Sequence, residues 1–366
     1  MAQTNRKNLN ISIVRKLFVI VFLLFNHINI RAQVASYSNE FLNIGVDAAS
    51  LARGNSVIAS TQGVCSGFWN PAGLTSMTKS FESSFMHANY FSGLAQYDYF
   101  GFSYKVSDSL MLGLSLVRFG VDDIPNTLYL MDADGNINYD RITYFSVADY
   151  ALFLSLGKKS KLAGLSWGAS VKLIYRSQGD FAIAYGFGFD AGVQYQLHKW
   201  KFGMTLRDAT STFNIWLFNK PSFEQMFIET DNEVPDNSLE LTTPKLLAGI
   251  ARQFKFGEKI NLLAEIDFDL HFDGEHHSLI KGKPLSLDPH IGLEVSYLNN
   301  VFLRVGADRF QLIEDFDNTN KLNFLPSIGV GFSLFNFSLD YALTDVGDMT
   351  VTPVSHIFSL KYIFGR

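Results

Sequence analysis

Residues 185–195 read Tyr-Gly-Phe-Gly-Phe-Asp-Ala-Gly-Val-Gln-Tyr, and their alternation decides the fold. Successive side chains of an extended strand point to opposite sides. Tyr185, Phe187, Phe189, Ala191, Val193 and Tyr195 therefore share one face, and Gly186, Gly188, Asp190, Gly192 and Gln194 the other. The same period of two continues on either side. Leu165, Trp167, Ala169, Val171, Leu173 and Tyr175 oppose Ser166, Gly168, Ser170, Lys172 and Arg176. Ala264, Ile266, Phe268 and Leu270 oppose Glu265, Asp267, Asp269 and His271. Val301, Leu303, Val305 and Ala307 oppose Phe302, Arg304, Gly306 and Asp308. A soluble sandwich also alternates, with its apolar face as the core. Here the polar face carries Gly and Ser as well as charge, which suits a crowded lumen. The apolar face carries Tyr, Phe and Trp near strand ends, which suits the aromatic girdles of a membrane barrel.

About fourteen such strands run from residue 80 to residue 364, an even number as bacterial barrels require. Short connections at 106–109, 157–163, 197–199, 255–258, 298–300 and 335–336 alternate with longer ones at 122–143, 210–242, 271–287 and 311–322. Two brief ones, at 89–94 and 177–181, fall among the longer set. Tight periplasmic turns and longer outer loops produce this pattern. By this count both termini lie at the periplasmic end. The last strand alternates Phe358, Leu360, Tyr362 and Phe364 with Ser359, Lys361 and Ile363, and Gly365 and Arg366 follow its final aromatic.

Composition agrees. The 366 residues are 47% hydrophobic and 14% aromatic but only 18% charged, with 34 Phe and 28 Gly. A soluble domain carries about a quarter charged residues. Arg6, Lys7, Arg15 and Lys16 precede an apolar run from Leu17 to Phe25, and a polar exit ends at Ala32. This pattern predicts a secretory signal over 1–32, cleaved before Gln33. The alternative is an apolar N-terminal helix packed on the domain. The run is shorter than the roughly 20 residues of a membrane-spanning helix. Beyond residue 32 no stretch reaches that length, so a membrane chain must close its strands into a barrel. Losing residues 1–32 removes five cations and no acid, moving the net charge from −5 to −10. That argues against nucleic acid as a partner. Cys65 is the only cysteine, which excludes an internal disulfide and a lipid anchor near the N-terminus; it reads as a small packed side chain.

Residues 33–79 do not alternate. Asp47 is placed to cap a short helix over Ala48 to Arg53, stopped by Gly54. Then comes Gly67-Phe68-Trp69-Asn70-Pro71-Ala72-Gly73-Leu74, a rigid turn beside an aromatic anchor. Side chains of the wall alone do not fill so wide a barrel, and this segment immediately precedes the first strand. The expectation is an all-β chain: a transmembrane antiparallel β-barrel of about 14 strands over 80–366, with 33–79 as a hatch in its lumen. The alternative is a periplasmic extension outside the barrel.

Two stretches carry a family resemblance. Phe41-Leu42-Asn43-Ile44-Gly45-Val46-Asp47-Ala48, followed by the hatch motif Trp69, Asn70, Pro71, Ala72 and Gly73, resembles the N-terminal signature of the PorV/PorQ proteins of Bacteroidetes. The Asn-Pro-Ala core is similar to that of the wider FadL-like family. Where relatives tend to carry a Gly-rich, Met-containing stretch, this chain has Leu51-Ala52-Arg53-Gly54-Asn55-Ser56. The resemblance implies a non-enzymatic outer-membrane component of type IX protein secretion. Its partners would be the translocon, attachment-complex proteins or cargo, besides outer-membrane lipid. The FadL-like side implies instead a transporter of small hydrophobic compounds.

No nucleophilic elbow or phosphate loop appears, and Gly186-x-Gly188-x-x-Ala191 sits inside an alternating strand without a following helix. No cofactor or metal is expected. His271-Phe272-Asp273-Gly274-Glu275-His276-His277 matches no standard zinc spacing and reads as a solvated loop. Lys172, Arg176, Arg207, Arg304 and Lys361 are expected to form lumen ion pairs with the carboxylates Asp190, Glu265, Asp267, Asp269, Glu294 and Asp340, since charges in a lumen seldom stay unpaired. In the expected outer loop 210–242, Phe213, Trp216, Phe218, Phe223 and Phe227 form an apolar cluster. They are candidates for binding a partner protein or a hydrophobic ligand, or for folding inward over the lumen.

Overall fold

The alternating stretches form one antiparallel sheet closed on itself. The computed structural model describes residues 38–90, 93–131, 135–229, 236–272, 279–280, 285–314, 320–344 and 355–365. The expected signal peptide, and residues 273–277 of the His-rich stretch, lie outside these residues.

The first strands are β1 (Phe81–Tyr90), β2 (Ala95–Lys105), β3 (Leu110–Asn126), β4 (Thr143–Lys159), β5 (Leu165–Gln178), β6 (Ala182–Leu197) and β7 (Trp200–Arg207). Then come β8 (Thr212–Phe218), β9 (Ser238–Thr242), β10 (Lys245–Phe256), β11 (Ile260–His271) and β12 (Ser286–Tyr297). The chain ends with β13 (Val301–Glu314), β14 (Asn320–Leu334), β15 (Phe337–Thr344) and β16 (Ser355–Phe364). Each pairs antiparallel with its neighbours, and β1 pairs with β16, from Phe81↔Phe364 to Asn89↔His356, to close the barrel.

These sixteen segments make a wall of fourteen strands. β6 pairs with β7 from Ala191↔Leu206 to Leu197↔Trp200, and with β8 from Ala182↔Phe218 to Phe187↔Phe213. β7 and β8 are thus one strand path interrupted at 208–211, where Asp208 and Ser211 adopt positive φ. β9 and β10 form the next path, interrupted at Thr243 and Pro244. The expectation of one outer loop over 210–242 is corrected here. Phe213, Trp216 and Phe218 lie in wall strand β8. Its alternation escaped notice because Trp216 occupies an inward position that other strands give to polar residues. β9 then pairs with β8 across the lumen-side residues Thr212 and Thr242.

The polarity of the wall is inverted relative to a soluble protein. Tyr185, Phe187 and Phe189 are 54%, 48% and 41% exposed, whereas Lys172 and Asp190 are 1% and 4% exposed. Charge inside and apolar side chains outside suit a wall bathed in hydrocarbon.

The lumen holds residues 38–77, in short helices such as α1 (Ala48–Leu51) and α2 (Ser66–Trp69). Val46, Ala48, Val57, Ala72 and Leu74 are at 0% exposure. This segment explains the glycines of the inner face. A methyl group on Gly306 would lie 2.1 Å from the Arg53 carbonyl carbon, and one on Gly168 2.4 Å from that of Pro71. Wall glycine lets the hatch backbone approach this closely. One terminus differs from expectation. Ser38 hydrogen-bonds to Glu240 and Asn214, on the loop-side strands β9 and β8, while β1 starts and β16 ends at the short-turn side. The described chain enters the lumen from the long-loop end and leaves it at the short-turn end.

Candidate functional site

The hatch is held by side chains that reach inward from the wall. Asp267 of β11 accepts the backbone N–H groups of Val57 (2.6 Å) and Ile58 (2.8 Å). Two residues earlier on the same inner face, Glu265 accepts those of Ala59 (2.8 Å) and Ser60 (3.1 Å), and the Ser60 hydroxyl. A strand places alternate residues 6–7 Å apart, about two hatch residues' advance, so two consecutive inward acids satisfy four consecutive N–H groups. Arg53 of the hatch closes the cluster, 3.7 Å from Glu265. On the opposite wall Lys361 donates to Asp47 at 2.9 Å, and Ser359 accepts the Ala48 N–H at 2.7 Å.

The hatch motif ties the hatch to itself and to the wall. The Asn70 carboxamide oxygen accepts the Ala72 N–H at 3.2 Å and so caps the 3-10 turn begun by Pro71. Its NH2 group donates to the carbonyls of Ile58 (3.0 Å) and Val193 (3.1 Å), tying hatch to hatch and hatch to wall. Trp69 donates to the Val46 carbonyl at 3.0 Å and packs edge-on against Phe68. Ala72 and Gly73 are fully enclosed, Gly73 resting on Thr61 and Ser66. Cys65 is buried behind this turn, and desolvation pushes its thiol up to about 12.

Lys172, Asp190, Glu265, Asp267, Asp269 and Arg304 all face inward. Lys172 bridges Asp190 (2.9 Å) and Asp208 (2.5 Å). Arg304 bridges Glu294 and Asp340, each at 2.6 Å. Asp269 lies 3.7 Å from Lys245 and 3.6 Å from His290. Glu265 and Asp267 serve the hatch rather than Lys172 or Arg304. Among the described residues, no group of three His, Cys, Asp or Glu is arranged to hold a metal.

Between the hatch and the outer ends of the strands lies a chamber of about 490 Å³. Phe41, Ile44, Trp69, Tyr90, Phe119 and Leu247 give it apolar walls. Arg207, Lys245, Asp269, Asp288, His271 and His290 gather on another side. Arg207 is 5% exposed, donates to the Phe68 carbonyl at 3.1 Å, and lies over the Phe68 ring at 5.0 Å. Lys245 and Arg207 are cross-strand partners at the end of β10 and β7, beside the wall interruptions at 208–211 and 243–244. Below the hatch lies a further cavity of about 620 Å³, lined by Thr61, Gln62, Leu162, Leu165, Gln194, Tyr195 and Lys201.

The five residues proposed as a partner-binding loop do not form one surface. Phe213 faces outward and stacks on Phe187 at 5.8 Å. Trp216 is buried inward at 8% exposure, with Arg176 over its ring at 5.0 Å. Phe218 packs beside Trp216. Phe223 is buried against Phe181, and Phe227 packs on Phe223 at 5.3 Å. Sequence reading named Arg207 as a lumen cation but missed the chamber that it lines with Phe41, Ile44, Lys245 and Leu247. Their periodicity marks them only as hatch or wall; the closed register brings them together.

No family model and no curated protein matches the sequence. Solved structures do match in fold. The CymD monoaromatic hydrocarbon channel aligns at 13% identity with a TM-score of 0.54, over 88% of this chain and 98% of that one. The Pseudomonas putida toluene transporter TodX aligns at 14% identity with a TM-score of 0.56, over 87% and 98%. A Pseudomonas aeruginosa FadL homologue aligns at 13% identity with a TM-score of 0.50, over 87% and 98%. The chain is similar in fold to these outer-membrane barrels across nearly their whole length.

Proposed function

We propose that the chain is a non-enzymatic, FadL-like channel of a Gram-negative outer membrane, taking up small hydrophobic or aromatic molecules. Its residues 1–32 would be the export signal. The observation that carries this reading is the 490 Å³ chamber, with aromatic walls above a fixed hatch and a broken strand ladder beside it. Ligand sites are concave, mostly apolar and furnished with a few polar groups. The fold neighbours named for monoaromatic hydrocarbons and toluene support the same cargo class. Calorimetric titration with a monoaromatic compound tests it. The purified wild-type barrel binds saturably, and Ile44→Trp, which fills the chamber, loses binding while the barrel stays folded. Equal binding by both proteins would refute the chamber as the site.

A second reading is a type IX secretion component that engages translocon, attachment-complex or cargo proteins. The hatch signature Trp69 to Gly73 favours it, as does the dense bonding of the hatch to Glu265 and Asp267, which suits a sealed lumen. Gentle-detergent capture of the tagged protein from native membranes distinguishes the two. A large translocon barrel in the eluate supports secretion, and its consistent absence removes that reading.

A further inference from the structure

Cations at the inner rim of the barrel gather mainly on one arc, with the exposed Lys79 outside it just before β1. Where β4 ends and β10 ends, the outward-facing Lys158 and Arg252 are exposed. Each has an exposed tryptophan as cross-strand partner: Lys158↔Trp167 on β5 and Arg252↔Trp200 on β7. The two pairs flank β6 symmetrically. Lys158 and Arg252 are four strands apart, roughly 19 Å along the rim at about 4.8 Å per strand. The Arg252 guanidinium carbon lies 4.8 Å from the ring centres of both Trp200 and Phe254. The turns of this arc add the exposed Lys159, Lys161, Lys199 and Lys259, which hold no ion pair among the described residues. Against them stand Glu258 and Asp108, the latter engaged by Lys105 at 2.7 Å.

The other half of the rim differs. The turns 298–300 and 335–336 carry no ionisable residue, and the outward aromatics there, such as Phe335, Phe337 and Tyr362, are Phe and Tyr. A general need for interfacial aromatics and lysines acts on the whole circumference, so it does not explain a basic, Trp-bearing arc on one side. The chain as a whole is acidic, with net charge −5, which makes the arc more distinctive.

We infer that the arc from β4 to β10 is a binding site for anionic phospholipid of the inner leaflet. Outward cations backed by indoles sit where headgroup phosphates meet the hydrocarbon edge, and phosphates pair with guanidinium and ammonium groups. Lipid fits better than a soluble acidic partner because Lys158 and Arg252 project from the lipid-facing wall, not from the lumen. The inference needs only a bilayer-embedded barrel and is independent of the cargo.

Tryptophan quenching tests it. Trp167 and Trp200 face lipid, whereas Trp69 and Trp216 are buried in the lumen, so brominated lipid reports on the arc. The barrel is reconstituted in phosphatidylcholine vesicles with rising fractions of brominated phosphatidylglycerol or brominated phosphatidylcholine. Brominated phosphatidylcholine quenching shows that the barrel is inserted and folded. The anionic lipid is expected to quench at a several-fold lower fraction. Lys158→Gln and Arg252→Gln each remove about fivefold of that preference, or about 1 kcal/mol. In the wild type the preference also fades as ionic strength rises from about 0.01 M to about 1 M, which shortens screening from about 30 to about 3 Å. Identical curves for the two lipids overturn the inference. So does a preference that survives both the substitutions and salt, which would place the lipid contact on groups other than Lys158 and Arg252.

Discussion

Asp267 shows what a single lumen residue does. It is 1% exposed and accepts two hatch N–H groups. A hydrogen bond contributes about 0.5–1.5 kcal/mol net, and orphaned buried donors cost more than a simple loss. Asp267→Leu is expected to free residues 57–58, making the hatch cleavable by added protease in detergent while the wall survives. Asp267→Asn, which keeps one good acceptor, should be cut far more slowly. Gly306 is the steric counterpart. Gly306→Ala forces the Arg53 backbone to shift, and overpacking of this kind costs about 1–3 kcal/mol. Thermal unfolding of that variant should begin at lower temperature than that of wild type, whereas Gly257→Ala, with open space around it but a strained φ of +64, should show a smaller change.

Cys65 yields a pH dependence with a definite sign. Its thiol is raised from an ordinary 9.0 to about 12 by burial. Below pH 9 both folded and unfolded chains keep the proton, so stability is unaffected. Between about 9 and about 12 the unfolded chain ionises while the folded one does not, and stability falls as pH rises. Cys65→Ala should flatten that alkaline loss in denaturant titrations. Alkylating reagent at pH 8 should label Cys65 only after unfolding.

At the scale of elements, the wall was largely legible because an inward–outward period of two is imposed by lipid outside and a packed hatch inside. The strands expected over 164–176 and 182–196 differ from the observed β5 and β6 by one or two residues at their ends. β8 was not legible: Phe213, Ile215, Trp216 and Leu217 form a nearly continuous apolar run, and period two fails where the inward residue is itself aromatic. The hatch was legible as a non-alternating segment with an Asn-Pro turn, but not its direction through the lumen. That direction rests on long-range bonds such as Ser38 to Glu240, which no local pattern encodes. The inward orientation of Lys172, Asp190, Arg304 and Asp340 followed from alternation, whereas which of them meet, and the second partner of Lys172, Asp208, depend on strand register. The same distinction yields a deletion test. Replacing 219–237 by a two-residue turn keeps β8 and β9 paired and should assemble normally, read as heat-modifiable mobility on a gel. Removing 212–242 leaves residues 182–187 of β6 without their β8 partner, opens an edge inside the bilayer, and should abolish assembly.

At the scale of the molecule, the barrel is a wall whose inner face grips a fixed hatch. The grip explains why chamber and periplasmic cavities are separated by Trp69, Asn70 and the acids of β11. On the channel reading, passage runs around the hatch or through the wall beside it. Arg207 and Lys245, at the interruptions of both neighbouring strand paths, stand at the one place where chamber and broken ladder meet among the described residues. The most direct measurement of the channel reading is the flux of a labelled monoaromatic compound into proteoliposomes carrying wild-type protein or Leu247→Trp. The reading predicts protein-dependent, saturable flux in the wild type that falls at least tenfold in the variant, with the barrel intact by gel mobility. Flux no greater than in empty liposomes, or unchanged when the chamber is filled, would contradict it.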